Sequence, residues 1–187
     1  MKPAFTALPL LWTLLFTAGL AHAQSADNNK VKSKKKELTM MTVQTNKATM
    51  LKLFEESLNR RNFELLKDLI ADEYTGIRLK GAAGFSEPVM PLIKAFPDMQ
   101  WTVDEMVGEG NKVTVRWTVR GTHTASFNNL PPTGNKVANT GIGFFELKDG
   151  KIISGLVQTD RLGFLQQLDV LPDDVNVIYA NAIKALK

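Results

Sequence analysis

The chain has 187 residues, no cysteine, and 23 Lys and Arg against 19 Asp and Glu. Without cysteine there can be no disulfide, thiol nucleophile, Cys-ligated metal or lipid-modified cysteine anchor. The basic excess is local: residues 24–44 hold Lys30, Lys32, Lys34, Lys35 and Lys36 against Asp27 and Glu37, while Thr45 to Lys187 carries 17 basic and 17 acidic residues, an even balance that argues against a nucleic-acid groove in the folded part.

Residues 1–23 read as a signal peptide. Lys2 gives a positive start, Ala4 to Leu20 is an apolar run, and Ala21-His22-Ala23 has the small-x-small pattern of a cleavage site. The run contains Pro9 and Gly19 and falls short of the roughly 20 apolar residues of a membrane span, so a retained anchor is the weaker reading. Export to the periplasm or the medium is expected, with Gln24 as the new N-terminus and no stable membrane anchor after cleavage. The lysine-rich stretch 24–44 offers little to bury and reads as a disordered, solvated linker, with contact to an anionic membrane surface as an alternative. One domain, 45–171, should follow, then a C-terminal tail, 172–187.

Within that domain, Leu51, Phe54 and Leu58 share a face of a helix over 48–59. Asn62 stands at an N-cap position before a second short helix, with Phe63, Leu66, Leu69 and Ile70 at helical spacing, ending before Tyr74. A third segment runs over 86–96; Pro88 suits a first turn, but Pro91 argues against a long regular helix. After Pro97 the period changes from helical to alternating. Strands are expected over 99–107 and 112–123, joined by the Glu109-Gly110-Asn111 turn, and over 136–147 and 151–159, joined by Asp149-Gly150. In the second strand Val113, Val115, Trp117, Val119 and His123 point one way and Thr114, Arg116, Thr118, Arg120 and Thr122 the other. A short helix over 161–168 and a loosely docked one over 176–186 complete the pattern. Helices first and a meander of strands afterwards define an α+β fold in which a curved antiparallel sheet wraps the N-terminal helices, leaving an apolar concavity as the default small-molecule site.

The sequence resembles the SnoaL-like polyketide cyclase (ester cyclase) family, whose fold is the cone of nuclear transport factor 2. The likeness is carried by Phe96-Pro97-Asp98, by Gly121-Thr122-His123-Thr124 with Phe127 and Pro131-Pro132-Thr133-Gly134, by Asp149-Gly150-Lys151-Ile152, and by Asp160 with Leu162-Gly163-Phe164-Leu165-Gln166-Gln167-Leu168. The resemblance implies an intramolecular aldol ring closure without metal or cofactor, run by an aspartate on the last strand beside polar groups on its neighbour. Abstraction of a proton next to a carbonyl needs such a carboxylate within hydrogen-bond reach, and a donor for the oxyanion. Counted from the Asp149-Gly150-Lys151 turn, that aspartate falls at Val157. Gly141 and Gly143 stand where the polar partners would be, and Gly76 where an upstream Asn would be. None of the four can move a proton.

Three readings follow. In the first, the cone binds a small apolar or aromatic molecule with the cyclase machinery lost, through Tyr74, Trp117, Gly141, Gly143, Phe145 and Val157; the glycines would leave an open apolar wall, and Tyr74 would add a hydroxyl at the rim. In the second, His123 and Asp160 act together as a general base in a cofactor-independent cyclisation, isomerisation or hydration. Against this, His123 also reads as a strand-end imidazole and Asp160 as a helix cap. In the third, the outer sheet face makes a homodimer and the pocket is incidental. One histidine after cleavage and scattered carboxylates are a poor metal set, so neither metal nor cofactor is expected.

Overall fold

The computed structural model describes residues 13–186, with side chains from Lys30 onward; the expected signal sequence, residues 1–23, lies outside the residues whose side chains are described. The chain divides into a unit ending at Met41 and a unit from Thr42 onward. The first helix, α1, spans Thr13–Leu51. It therefore includes the lysine-rich stretch for which composition suggests an irregular linker. Between Gly19 and Gly76 the sequence has neither glycine nor proline, so nothing interrupts helical hydrogen bonding there. Every side chain from Lys30 to Thr42 is nonetheless exposed.

In the second unit the helix widens into a π-helical segment, Lys52–Asn59, whose inward side is Leu53, Phe54, Ser57 and Leu58. The change of pitch shifts the buried stripe, so Leu51 stays exposed and Leu53 goes inward. A 3₁₀ turn, Phe63–Leu65, leads into α2, Leu66–Leu69. Helix α3, Gly81–Ala95, contains both Pro88 and Pro91, which corrects the expectation of a short irregular segment. Both prolines are exposed, while Phe85 and Ile93 are buried and Val89 and Leu92 pack against the core. Packing of this stripe outweighs the two missing N–H groups.

Four strands form an antiparallel sheet in chain order: β1 Gln100–Glu109, β2 Lys112–Thr122, β3 Lys136–Lys148 and β4 Lys151–Thr159. Partnered residues place Val103, Trp117, Gly141 and Thr159 in one row, Met106, Val115, Gly143 and Val157 in the next, and Gly108, Val113, Phe145 and Gly155 in a third. These rows share the face toward the helices, because residues directly opposite in a ladder point the same way. That face is buried along β2 and β3 and exposed from Gly155 onward on β4. Phe54 of the π-helical segment packs on Trp117, with ring centroids 5.4 Å apart. Helix α4, Arg161–Gln167, returns to β3, where Gln167 bonds both backbone groups of Ala138. Helix α5, Val175–Ala185, buries no residue.

Asn59 and Arg61 fix the helices to β1. The Asn59 side chain donates to Trp101 O (2.8 Å) and accepts from Trp101 N (2.7 Å), as a neighbouring strand would. Arg61 donates to Pro97 O (2.9 Å) and Met99 O (2.6 Å), and its guanidinium lies over the Trp101 ring.

Candidate functional site

The inward face of β4 is the one exposed stretch of the sheet's apolar side. Gly155, Val157 and Thr159 occupy alternate positions there, and Val157 is 48% exposed. Beside them, Gly141 and Gly143 do not leave open space. A Cβ on Gly141 would stand 2.6 Å from the Trp117 indole, and one on Gly143 would stand 2.5 Å from the Phe145 ring. The glycines give two large rings room to lie flat on the sheet, and the expected open wall is instead a filled aromatic floor. A Cβ on Gly155 would meet Phe145 at 3.0 Å and the Tyr74 hydroxyl at 3.7 Å.

Tyr74 reaches this place through its backbone. Ala71 N–H donates to Ile152 O (3.0 Å), drawing the chain alongside β4; Tyr74 N–H then donates to Ala71 O (3.0 Å), and Gly81 N–H donates to Tyr74 O (2.8 Å). Its ring meets Phe85 edge-on at 6.0 Å. Burial pushes the phenol above its ordinary pKa, so it stays protonated. Gly76 is not an empty pocket position: a Cβ there would lie 2.3 Å from the backbone oxygen of Gly84, so the loop and α3 touch through main chain.

His123 and Asp160 are not brought together. His123 is fully buried, stacked on Phe96 at 4.9 Å, with Nδ1 accepting from Thr133 N–H (3.2 Å) and Nε2 without a partner. Phe127 and Phe164 complete an aromatic cluster around Phe96. Asp160 is exposed and accepts from Gly163 N–H (2.9 Å), capping α4. Its backbone bonds to Thr140, the partner of Thr118. His123 lies five residues beyond Thr118, just past the end of β2, roughly 16 Å away at the usual strand rise. The run around His123 that carries the family resemblance thus builds a corner, where Thr122 also donates twice to Asp98 (both 2.7 Å) and holds that carboxyl below its ordinary pKa.

On the opposite face of β3 and β4, an open depression of about 340 Å³ is lined by Arg116, Thr140, Ile142, Gln158 and Asp160 among others. Arg116 is engaged there by Asp104 (3.2 Å) and Glu105 (3.6 Å). Among the described residues no cluster of His, Asp and Glu is placed to hold a metal ion. Sequence reading missed Thr159, although it continues the alternation of Gly155 and Val157. It also missed Asn139, buried on the same face two residues before Gly141, with Oδ1 unpartnered.

The family profile of SnoaL-like polyketide cyclases matches residues 48–168. No curated protein matches the sequence. Among solved structures, AclR of Streptomyces galilaeus, a proposed hydroxylase, is 24% identical with a TM-score of 0.63, covering 70% of this chain and 99% of its own. A proposed polyketide cyclase of Acidithiobacillus ferrooxidans is 26% identical with a TM-score of 0.61, covering 67% and 94%. IdmH of Streptomyces antibioticus, also a proposed polyketide cyclase, is 29% identical with a TM-score of 0.58, covering 67% and 99%.

Proposed function

Because this chain belongs to the SnoaL-like polyketide cyclase family, we propose that it binds a small apolar or aromatic molecule against the inward face of β4, with the aldol-cyclase chemistry lost. The observation that carries the reading is Val157. It stands where the family resemblance puts the general acid/base, half-exposed between Gly155 and Thr159, where a valine offers contact area and no proton. Trp117 and Phe145 form the floor beside it and Tyr74 the polar edge. The alternative enzyme reading, through His123 and Asp160, gains no support from their placement in separate corners.

Export is part of the same proposal and rests on the pattern of residues 1–23; no described helix is long and apolar enough to cross a membrane. Native mass spectrometry of the protein recovered from its own host, followed by denaturation, tests both parts. The expected result is a mature chain beginning at Gln24 with one small molecule bound, and loss of that molecule from Val157→Trp. An intact N-terminus would end the export reading, and an empty wild-type chain would end the binding one. A homodimer through the outer sheet face is the second reading, favoured by the exposed Val107, Ile142, Phe144 and Leu156 on that side.

A further inference from the structure

Resting on that binding reading, we propose that the Tyr74 hydroxyl is the specificity-determining donor of the site, and that the site takes a neutral molecule presenting a carbonyl or ether oxygen to it. Two observations converge. The hydroxyl stands 3.7 Å from the Cβ position of Gly155, an exposed residue with no side chain of its own to cover it. Among the described residues no acceptor is hydrogen-bonded to it, although the ring is held by Phe85 and the backbone on both sides. A fixed donor without an internal acceptor adds affinity for a ligand that supplies one, and discriminates against a ligand that covers it with hydrocarbon.

The neutral class follows from what surrounds the donor. The inward positions of the four strands nearest the donor are Trp117, Gly143, Phe145, Gly155 and Val157, and the remaining ones continue the same face along each strand. None is charged. The nearby Arg78 is engaged by Glu87, which also accepts from the backbone N–H groups of Arg78 and Leu79. An anionic ligand would lose its hydration against this uncharged strand face. Thr159 carries the other exposed hydroxyl of β4's inward face, but it lies four residues from Gly155, about 13 Å along the strand.

Equilibrium dialysis of the full chain against 2-acetylnaphthalene, 2-ethylnaphthalene and 2-naphthoate separates the possibilities. The expected order is the ketone first, about five- to tenfold tighter than the ethyl compound, as one neutral hydrogen bond allows, with the carboxylate weakest. Tyr74→Phe, which keeps the ring against Phe85, should abolish the preference for the ketone and leave the ethyl compound unchanged. Wild-type binding of both neutral compounds without preference would overturn the role of Tyr74 while leaving the binding reading intact. A preference that survives Tyr74→Phe and disappears in Thr159→Val would overturn it in favour of the other hydroxyl. Tightest binding of the naphthoate would overturn the neutral class. Failure of all three compounds to bind would remove this inference and the binding reading together.

Discussion

Gly76 and Gly141 are both too crowded for a side chain, but what crowds them differs. At Gly141 the obstacle is the Trp117 indole, which Phe54 backs from the other side; at Gly76 it is the main chain of Gly84. An aromatic ring can tilt by a few degrees at the cost of repacking, whereas a backbone carbonyl in the first turn of α3 moves only with the helix start. Overpacking of this kind costs about 1–3 kcal/mol. We expect Gly141→Ala near the low end and Gly76→Ala near the high end, read as midpoints in urea unfolding. Gly141→Ala should also disturb the aromatic floor and weaken ligand binding, which Gly76→Ala should not do in the fraction that folds. The reverse order of stabilities would mean that Trp117 is held more tightly than the contact of the loop with α3. The sequence marks both positions as places without a side chain. It does not say whether the vacancy is for a ligand or for a neighbour, because that depends on which ring or backbone the fold brings across the sheet.

The contact between the π-helical segment and β1 rests on a side chain that behaves like a strand. Asn59 satisfies both backbone groups of Trp101 on the free edge of β1, so it joins helix to sheet and blocks that edge from pairing with another strand. Asn59→Leu would leave one N–H and one C=O of a buried residue without their partner, a loss of about 2 kcal/mol. Hydrogen exchange at the Trp101 amide provides the local check: it should speed up more than the Val115 amide, which is bonded within the ladder. Equal acceleration at both would show a global effect and no edge clamp. Sequence periodicity locates the strands to within two residues, since alternation is written in the residues themselves. It fails on α3, where the prolines spoke for interruption and tertiary packing decided otherwise, and on the lysine-rich run, where composition gives exposure but not backbone conformation.

At the scale of the whole molecule, the candidate site and the candidate interface lie on opposite faces of one sheet and draw on opposite parities of the same strands. Gly155 and Val157 face the helices; Leu156, between them, faces out. Register places Val107, Thr114, Phe144 and Leu156 in one row across all four strands on the outer side. Val107, Phe144 and Leu156 are 59%, 53% and 61% exposed, with Ile142 beside them. Alternation in β3 and β4 alone makes this row legible only once pairing is known, because a one-residue slip would turn it inward. The domain from Thr45 onward carries as many acidic as basic residues, so two copies can approach without net repulsion. A stable pair needs about 800 Å² buried on each partner around a few apolar anchors, and this row supplies the anchors. Sedimentation equilibrium of the mature chain across the micromolar range should show a dimer. Phe144→Lys should give a monomer with an unchanged circular dichroism spectrum, since its side chain supports nothing in the core. Binding of 2-acetylnaphthalene by that monomer would show that site and interface are independent, as their opposite faces require. A wild-type chain that sediments as a monomer at every concentration would leave the outer row as surface only.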